Sequence, residues 1–258
     1  MITITAAELE HGIAAILWPF VRIGSCFMVA PVFGAVTVPA QIRIVLSGAI
    51  ALLIAPLVPL PANVALLSGA GVLITLQQVI IGIALGFCLR LVFEALSLGG
   101  QMMANSMGLS LSFNIDPLNG TSTPALGQLY TVLVTLLFLL LNGQTALIRI
   151  LVDGFRTLPI GTSGFGPKGL WTIVNWGSIL FSGALAVALP GITAMLITNL
   201  AFGIVSRAAP TLNLFATGLP ISLVFGLLVI IVTLPMVESG FIRLLGESFM
   251  LLRRLNGG

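Results

Sequence analysis

Catalysis needs a nucleophile, a proton carrier or a set of metal ligands at a defined spacing, and this chain offers almost none. Its one histidine, His11, stands near the start, and neither a His-Glu-x-x-His nor a Gly-x-Ser-x-Gly pattern occurs. Cys26 and Cys88 each lie in an apolar run with no Cys or His close in sequence, the pattern of small core residues and not of a zinc site or a disulfide framework. The one lysine, Lys168, sits between Pro167 and Gly169, so no phosphate-binding loop is present and nucleotide hydrolysis is not expected. The residues predict a protein that is not an enzyme and holds no cofactor or metal.

The groups that remain suit gating. Between Gly99 and Ala125 the chain is apolar with one charge, Asp116, yet Asp116-Pro117, Asn119-Gly120 and Pro124 punctuate it with turn chemistry. Asn119-Gly120-Thr121 formally matches a glycosylation acceptor and reads instead as a turn. Irregular backbone cannot face hydrocarbon, where each unsatisfied group costs several kcal/mol, so this stretch must face protein or a watery cavity. Met102, Met103 and Met107 precede Leu109, Leu111, Phe113 and Ile115. Two readings stand: a loop end tucked into the protein's own core, or a soft apolar segment that occludes a pathway, since Met adapts to irregular contacts.

The elements that must position this stretch are membrane helices. Of 258 residues, 58% are hydrophobic and 7% charged, against about 25% charged in ordinary soluble domains. Residues 44–89, 117–148, 169–206 and 208–237 contain no charge at all, and each gap exceeds the roughly 20 apolar residues that span a bilayer. Glu8 and Glu10 occupy the place of a signal peptide's basic flank, so the first apolar run reads as a retained helix. The ten basic residues are scattered, with only Arg253 and Arg254 adjacent, which argues against nucleic acid as a partner.

Apolar runs predict helices over Gly12–Ala30, Ile44–Val58, Val64–Leu91, Gln128–Ile148, Leu170–Val205 and Leu212–Val237. The fifth contains Pro190 near its middle, so either it kinks or these helices pack on protein, and the last arm should end near Pro235. The Gly-rich connection Pro159 to Gly169 is the best domain boundary, followed by one long helical hairpin. Gly82 and Gly86 form a small-xxx-small pattern suited to close helix contact. Six spans would put both termini on the cytoplasmic side, with Arg243, Arg253 and Arg254 following the last helix.

Polar groups inside the apolar runs need neighbours. Gln77, Gln78, Asn175 and Asn199 read as interhelical hydrogen bonders. Arg22, about halfway along the first run, invites pairing with Glu94 or Asp153 across a bundle, a cavity or a protein-covered site, or else a direct role in transport. Arg22, Gln77, Gln78, Glu94, Asp153, Asn199 and Arg207 are therefore assigned as structural polar groups of the membrane part.

Gln101 through Pro117, with Met107-Gly108-Leu109-Ser110 and Asp116-Pro117, resembles the marker segment of the FliR family of flagellar export-gate proteins. Leu141-Asn142-Gly143, Leu151-Val152-Asp153-Gly154-Phe155, Leu158-Pro159-Ile160-Gly161, Ala188-Leu189-Pro190 and Arg207 through Phe215 are similar to that family in the same order. Trp18-Pro19, Ala30-Pro31, Ile54-Ala55-Pro56 and Gln77 through Gly82 extend the likeness upstream. The paralogous SctT family of virulence injectisomes tends to carry a lysine where this chain has Ser222, which looks flagellar. Two departures from the family stand out. Gln144 replaces a usual His, which argues against a proton role there, and Asn114 stands where an apolar residue is common, leaving Leu111, Phe113 and Ile115 as the better seal.

The resemblance implies an all-α polytopic membrane protein of long, kinked helical hairpins. A FliP-like part over 1–165, with a plug loop at 106–124, is followed by a FliQ-like hairpin and basic tail over 166–258. It implies a gate shared with FliP and FliQ homologues, docked by FlhB and working with FlhA, in the inner membrane at the flagellar basal body. Unfolded flagellar proteins would pass through it. Met107, Gly108, Leu109, Leu111, Phe113, Ile115, Asp116 and Pro117 would form the plug, an apolar constriction that closes by dewetting. The alternatives are an SctT-type injectisome subunit and a small-solute secondary transporter. The latter predicts paired broken helices, whereas Pro190 falls in one half only.

Overall fold

The computed structural model of the chain describes residues 6–61, 64–109, 125–208 and 218–256. Among these there are eight α-helices and no strand, an all-α protein as expected. They are α1 (Ala6–Val29), α2 (Ala40–Ile54, ending in a 3₁₀ turn over Ala55–Leu57), α3 (Gly69–Ser106), α4 (Ala125–Leu140), α5 (Gly143–Thr157), α6 (Pro167–Trp176), α7 (Ile179–Ala208) and α8 (Leu219–Leu255). Five stretches among the described residues are long and apolar enough to cross a membrane, or six if the bent pair α4–α5 counts as one.

The breaks fall where backbone chemistry requires them and not always at proline. The run expected over Gln128–Ile148 divides at Leu141–Asn142, where the chain bends by 66°. Asn142 has φ 54°, a left-handed conformation that Asn tolerates better than most residues. Beyond the bend, α5 buries Leu147, Ile150, Leu151, Gly154 and Phe155 and exposes Arg149, Asp153 and Arg156, the one-sided pattern of a helix on a surface.

Pro190 lies inside helix α7, and the run expected over Leu170–Val205 is interrupted at Gly177–Ser178. Pro235 likewise sits within α8, which continues to Leu255 and does not stop near that proline. Proline is tolerated in long membrane helices where neighbours satisfy the freed carbonyl. Thr233, two residues before Pro235, donates its hydroxyl to the Val229 carbonyl of its own helix at 2.9 Å.

Helix α3 runs further than expected, through Gly99-Gly100 to Ser106, so the irregular stretch begins later than Gly99. Both glycines are contact points. A Cβ on Gly99 would lie 3.1 Å from the Ala184 carbonyl, and one on Gly100 would lie 2.8 Å from the Leu126 carbonyl. Close packing compensates their poor helix propensity.

The chain forms two compact units. One comprises Met1–Leu91, Leu139–Gly177 and Gly246–Gly258, the other Val92–Phe138 and Ser178–Leu245. In the first, α1 and α3 run side by side through the Gly82–Gly86 pattern. A Cβ on Gly82 would overlap Ser25 Oγ and the Arg22 carbonyl, and one on Gly86 would lie 2.7 Å from the Cys26 carbonyl. Trp18 donates to Thr75 Oγ1 at 3.2 Å, and Cys26 and Cys88 are both buried. In the second unit Phe93 makes edge contacts with Phe138 and Phe241 at 5.5 and 5.6 Å between centroids.

Candidate functional site

The end of α3 carries the first of the candidate gating residues. The Leu109 amide donates to the Ala104 carbonyl and the Gly108 amide to the Asn105 carbonyl, both at 3.1 Å, with Gly108 at φ 80°. That pair of bonds closing on a left-handed glycine is a Schellman stop, which satisfies carbonyls a helix end leaves orphaned. Met107, Gly108 and Leu109 therefore form a built helix terminus and not the start of irregular loop.

Around this terminus, methionines fit into glycine notches. Met103 and Met107 are both fully buried. A Cβ on Gly191 of α7 would overlap Met103 Cε, and one on Gly226 of α8 would overlap Met107 Cε, so each glycine leaves the volume its methionine fills. Tyr130 donates its hydroxyl to Met103 Sδ at 3.4 Å. A polar bridge completes the joint: Ser222 donates to Asn199 Oδ1 at 3.2 Å, and Asn199 Nδ2 donates to the Ser106 carbonyl at 3.3 Å. The last turn of α3 is thus held by α4, α7 and α8 within one unit.

A second polar cluster lies in the other unit. Arg22 is fully buried; its Nε donates to Gln78 Oε1 at 2.6 Å and its Nη1 to the carbonyls of Leu158 at 3.0 Å and Gly154 at 3.4 Å. Its guanidinium carbon stands 4.3 Å from the centre of the Phe155 ring. Gly154 and Leu158 belong to the C-terminal turn of α5, where a helix carries roughly half a negative charge. The cation is compensated by the two carbonyls of a helix end, one side-chain amide and an aromatic face.

Arg22 thus occupies a protein-covered site, with Gln78 and two carbonyls as its hydrogen-bond partners in place of the expected pairing with Glu94 or Asp153; Asp153, in the same unit, is exposed. Arg22 Nη2 and Gln78 Nε2 are buried without a hydrogen-bond partner. Gln77 turns toward the connection after α5, where Gly164 leaves room for its Oε1. Asn199 holds the α3 terminus, and Arg207 is exposed in the last turn of α7, where a cation suits the helix end.

Leu111, Phe113, Ile115, Asp116 and Pro117 lie outside the described residues. Gly191, Gly226 and Tyr130 were not singled out from the sequence, and Phe155 figured only within a family-like motif. The only signal for the two notches was single glycines within unbroken apolar runs. No group of three or more His, Cys, Asp or Glu side chains among the described residues could hold a metal ion.

The family described as bacterial export proteins, family 1, matches residues 13–248. The chain is 34% identical over 252 residues to the flagellar biosynthetic protein FliR of Pectobacterium carotovorum, covering 98% of this chain and 96% of that one. It is 34% identical over 253 residues to FliR of Escherichia coli, with the same coverage. FliR of Aquifex aeolicus is 27% identical over 231 residues, 88% of each chain.

Proposed function

The chain belongs to the bacterial export proteins, family 1, and on that premise we propose that it is the FliR-type subunit of a flagellar type III export gate. The observation that carries this reading is end-to-end similarity to proteins named for flagellar biosynthesis, at 34% identity with 98% of the chain aligned. In this reading the subunit is not an enzyme. It forms, with FliP and FliQ homologues, an inner-membrane channel at the flagellar basal body for unfolded flagellar proteins, with FlhB and FlhA as further partners.

The pore plug of this proposal spans residues 107–117, with Met107, Gly108 and Leu109 as its root in the α3 terminus. The geometry supports it in one respect. Met107 and Gly108 are fixed by the glycine notch and the helix stop, so the segment leaves from a rigid base. A plug must be anchored at its root if it is to close one opening reproducibly, and apolar side chains then suffice to exclude water and ions. Leu111, Phe113 and Ile115 supply that seal.

Isolation of the tagged chain in mild detergent tests the assignment. FliP and FliQ homologues should accompany it in constant ratio, and a strain lacking the chain should lose motility and export of flagellar subunits. Isolation without either companion, or normal export in its absence, refutes the proposal.

A further inference from the structure

Within the second unit, α3 and α4 carry their polar side chains in two matched rows. From Val92 onward the polar residues of α3, apart from Ser106 at its end, are Glu94, Ser97, Gln101 and Asn105, which recur at intervals of three and four and so share one face. In α4 the polar residues other than the buried Tyr130 are Gln128, Thr131 and Thr135, at the same intervals. The rows meet across a close seam. A Cβ on Gly127 would lie 2.8 Å from Gln101 Cγ and 3.1 Å from the Ser97 carbonyl. Glu94, Ser97, Gln128 and Thr131 line a groove of about 260 Å³ beside Phe93, and all of these but Ser97 and Phe93 are exposed.

The surroundings of the rows are apolar. Leu129, Val132 and Leu136 are exposed on α4 one residue further on, a second row turned by about 100°. In the same unit α8 exposes no polar side chain from Ile221 to Leu234. Both α3 and the bent pair α4–α5 are long and apolar enough to cross a membrane. Hydrocarbon suits the apolar row, but it would leave the outward groups of the polar rows without partners and would be costly for the Glu94 carboxylate.

The hydrogen-bonding character of the rows selects what covers them. Thr131 and Thr135 already donate to the carbonyls of Gly127 and Thr131 at 2.9 and 2.7 Å, so each has only acceptor sites left to offer, as does a carboxylate. A companion helix has no backbone donor to give, because its amides are bonded within the helix. Water and the amides of an extended chain do have donors to give.

We propose that the α3–α4 seam is a wetted wall of the export path, along which water and the backbone of an extended polypeptide run; this rests on the export-gate reading above and names the face of the chain that the cargo touches. From Glu94 to Asn105 the wall is eleven residues or about 16 Å long, the length of about five residues of extended chain. Hydroxyls, amides and one charge hydrogen-bond to any backbone and read no side chain, which suits cargo of varied sequence. The same two helices flank the segment proposed as the plug, so wall and plug adjoin.

The test uses the full chain isolated with its companion subunits and placed in vesicles, with a charged methanethiosulfonate reagent on both sides of the membrane. Cys26 and Cys88 are buried and should stay unlabelled. Ser97→Cys and Thr131→Cys should react about ten-fold faster than Leu129→Cys and Leu136→Cys, because the reagent attacks the thiolate, which forms where water reaches it. Equal rates in the two rows overturn the proposal, as does slow reaction in both, the result if a companion helix covers the seam. In cells, benzoylphenylalanine in place of Gln128 should capture, on illumination, a flagellar export substrate stalled by a folded domain fused to it, and the same residue in place of Val132 should not. Equal capture at the two positions overturns the proposal. Capture from Leu109, at the root of the plug, without capture from Gln128 overturns this inference alone, whereas capture from neither overturns the export-gate reading with it.

Discussion

Arg22 is an unusual membrane charge because its compensation is spread over a helix end, an amide and an aromatic ring in place of a carboxylate. Removing it strands Gln78 Oε1 and the Leu158 carbonyl in the site, whereas the Gly154 carbonyl still accepts from the Leu158 amide. Arg22→Ala should therefore cost about 3 kcal/mol and lower the thermal unfolding midpoint in detergent. Arg22→Lys should restore little, because one ammonium cannot reproduce a planar fork that reaches three acceptors. Gln78→Glu should be tolerated, since a carboxylate supplies the second acceptor that Arg22 Nη2 lacks and removes the unpartnered Gln78 Nε2. At the α3 terminus, Gly108→Ala forces a Cβ into left-handed backbone and should cost about 1 kcal/mol in the same measurement.

The helices show which parts of the fold can be read from composition. Apolar runs located the helices that are long and apolar enough to cross a membrane among the described residues, because burial in lipid demands such runs wherever the backbone can comply. Their interruptions were less legible. Pro190 and Pro235 look like breaks and are not, whereas Asn142 and Gly177–Ser178 break the chain with weaker local signals. The Gly82–Gly86 contact was readable because small residues four apart mark close approach, but the notches at Gly191 and Gly226 required knowing which side chains face them. Arg22 was recognisable as needing a partner. Its partners were not, since the carbonyls of Gly154 and Leu158 are more than 130 residues away in sequence.

The notches make a prediction that belongs to paired helices and not to single residues. Gly226→Ala puts a methyl where Met107 Cε lies and should destabilise the protein, and Met107→Ala should destabilise it by opening a cavity. Combined, the two changes should interact favourably by about 1 kcal/mol or more, because truncating Met107 relieves the overlap. Thermal midpoints of the two single variants and the double variant measure this, and simple additivity would show that Met107 does not occupy the notch.

At the scale of the whole molecule, the Schellman stop, the two methionine knobs and the Asn199 bridge gather at the root of the segment proposed as the plug. Deleting residues 110–117 leaves the Schellman stop, both methionine knobs and the Asn199 bridge in place, so the helices should still assemble. The measurement that tests the central claim most directly is ion flux through the isolated gate, reconstituted in vesicles, with and without that deletion. The account predicts a sealed intact gate and a leaking deletion variant that keeps its companion subunits. A deletion variant that assembles fully and stays ion-tight would contradict it.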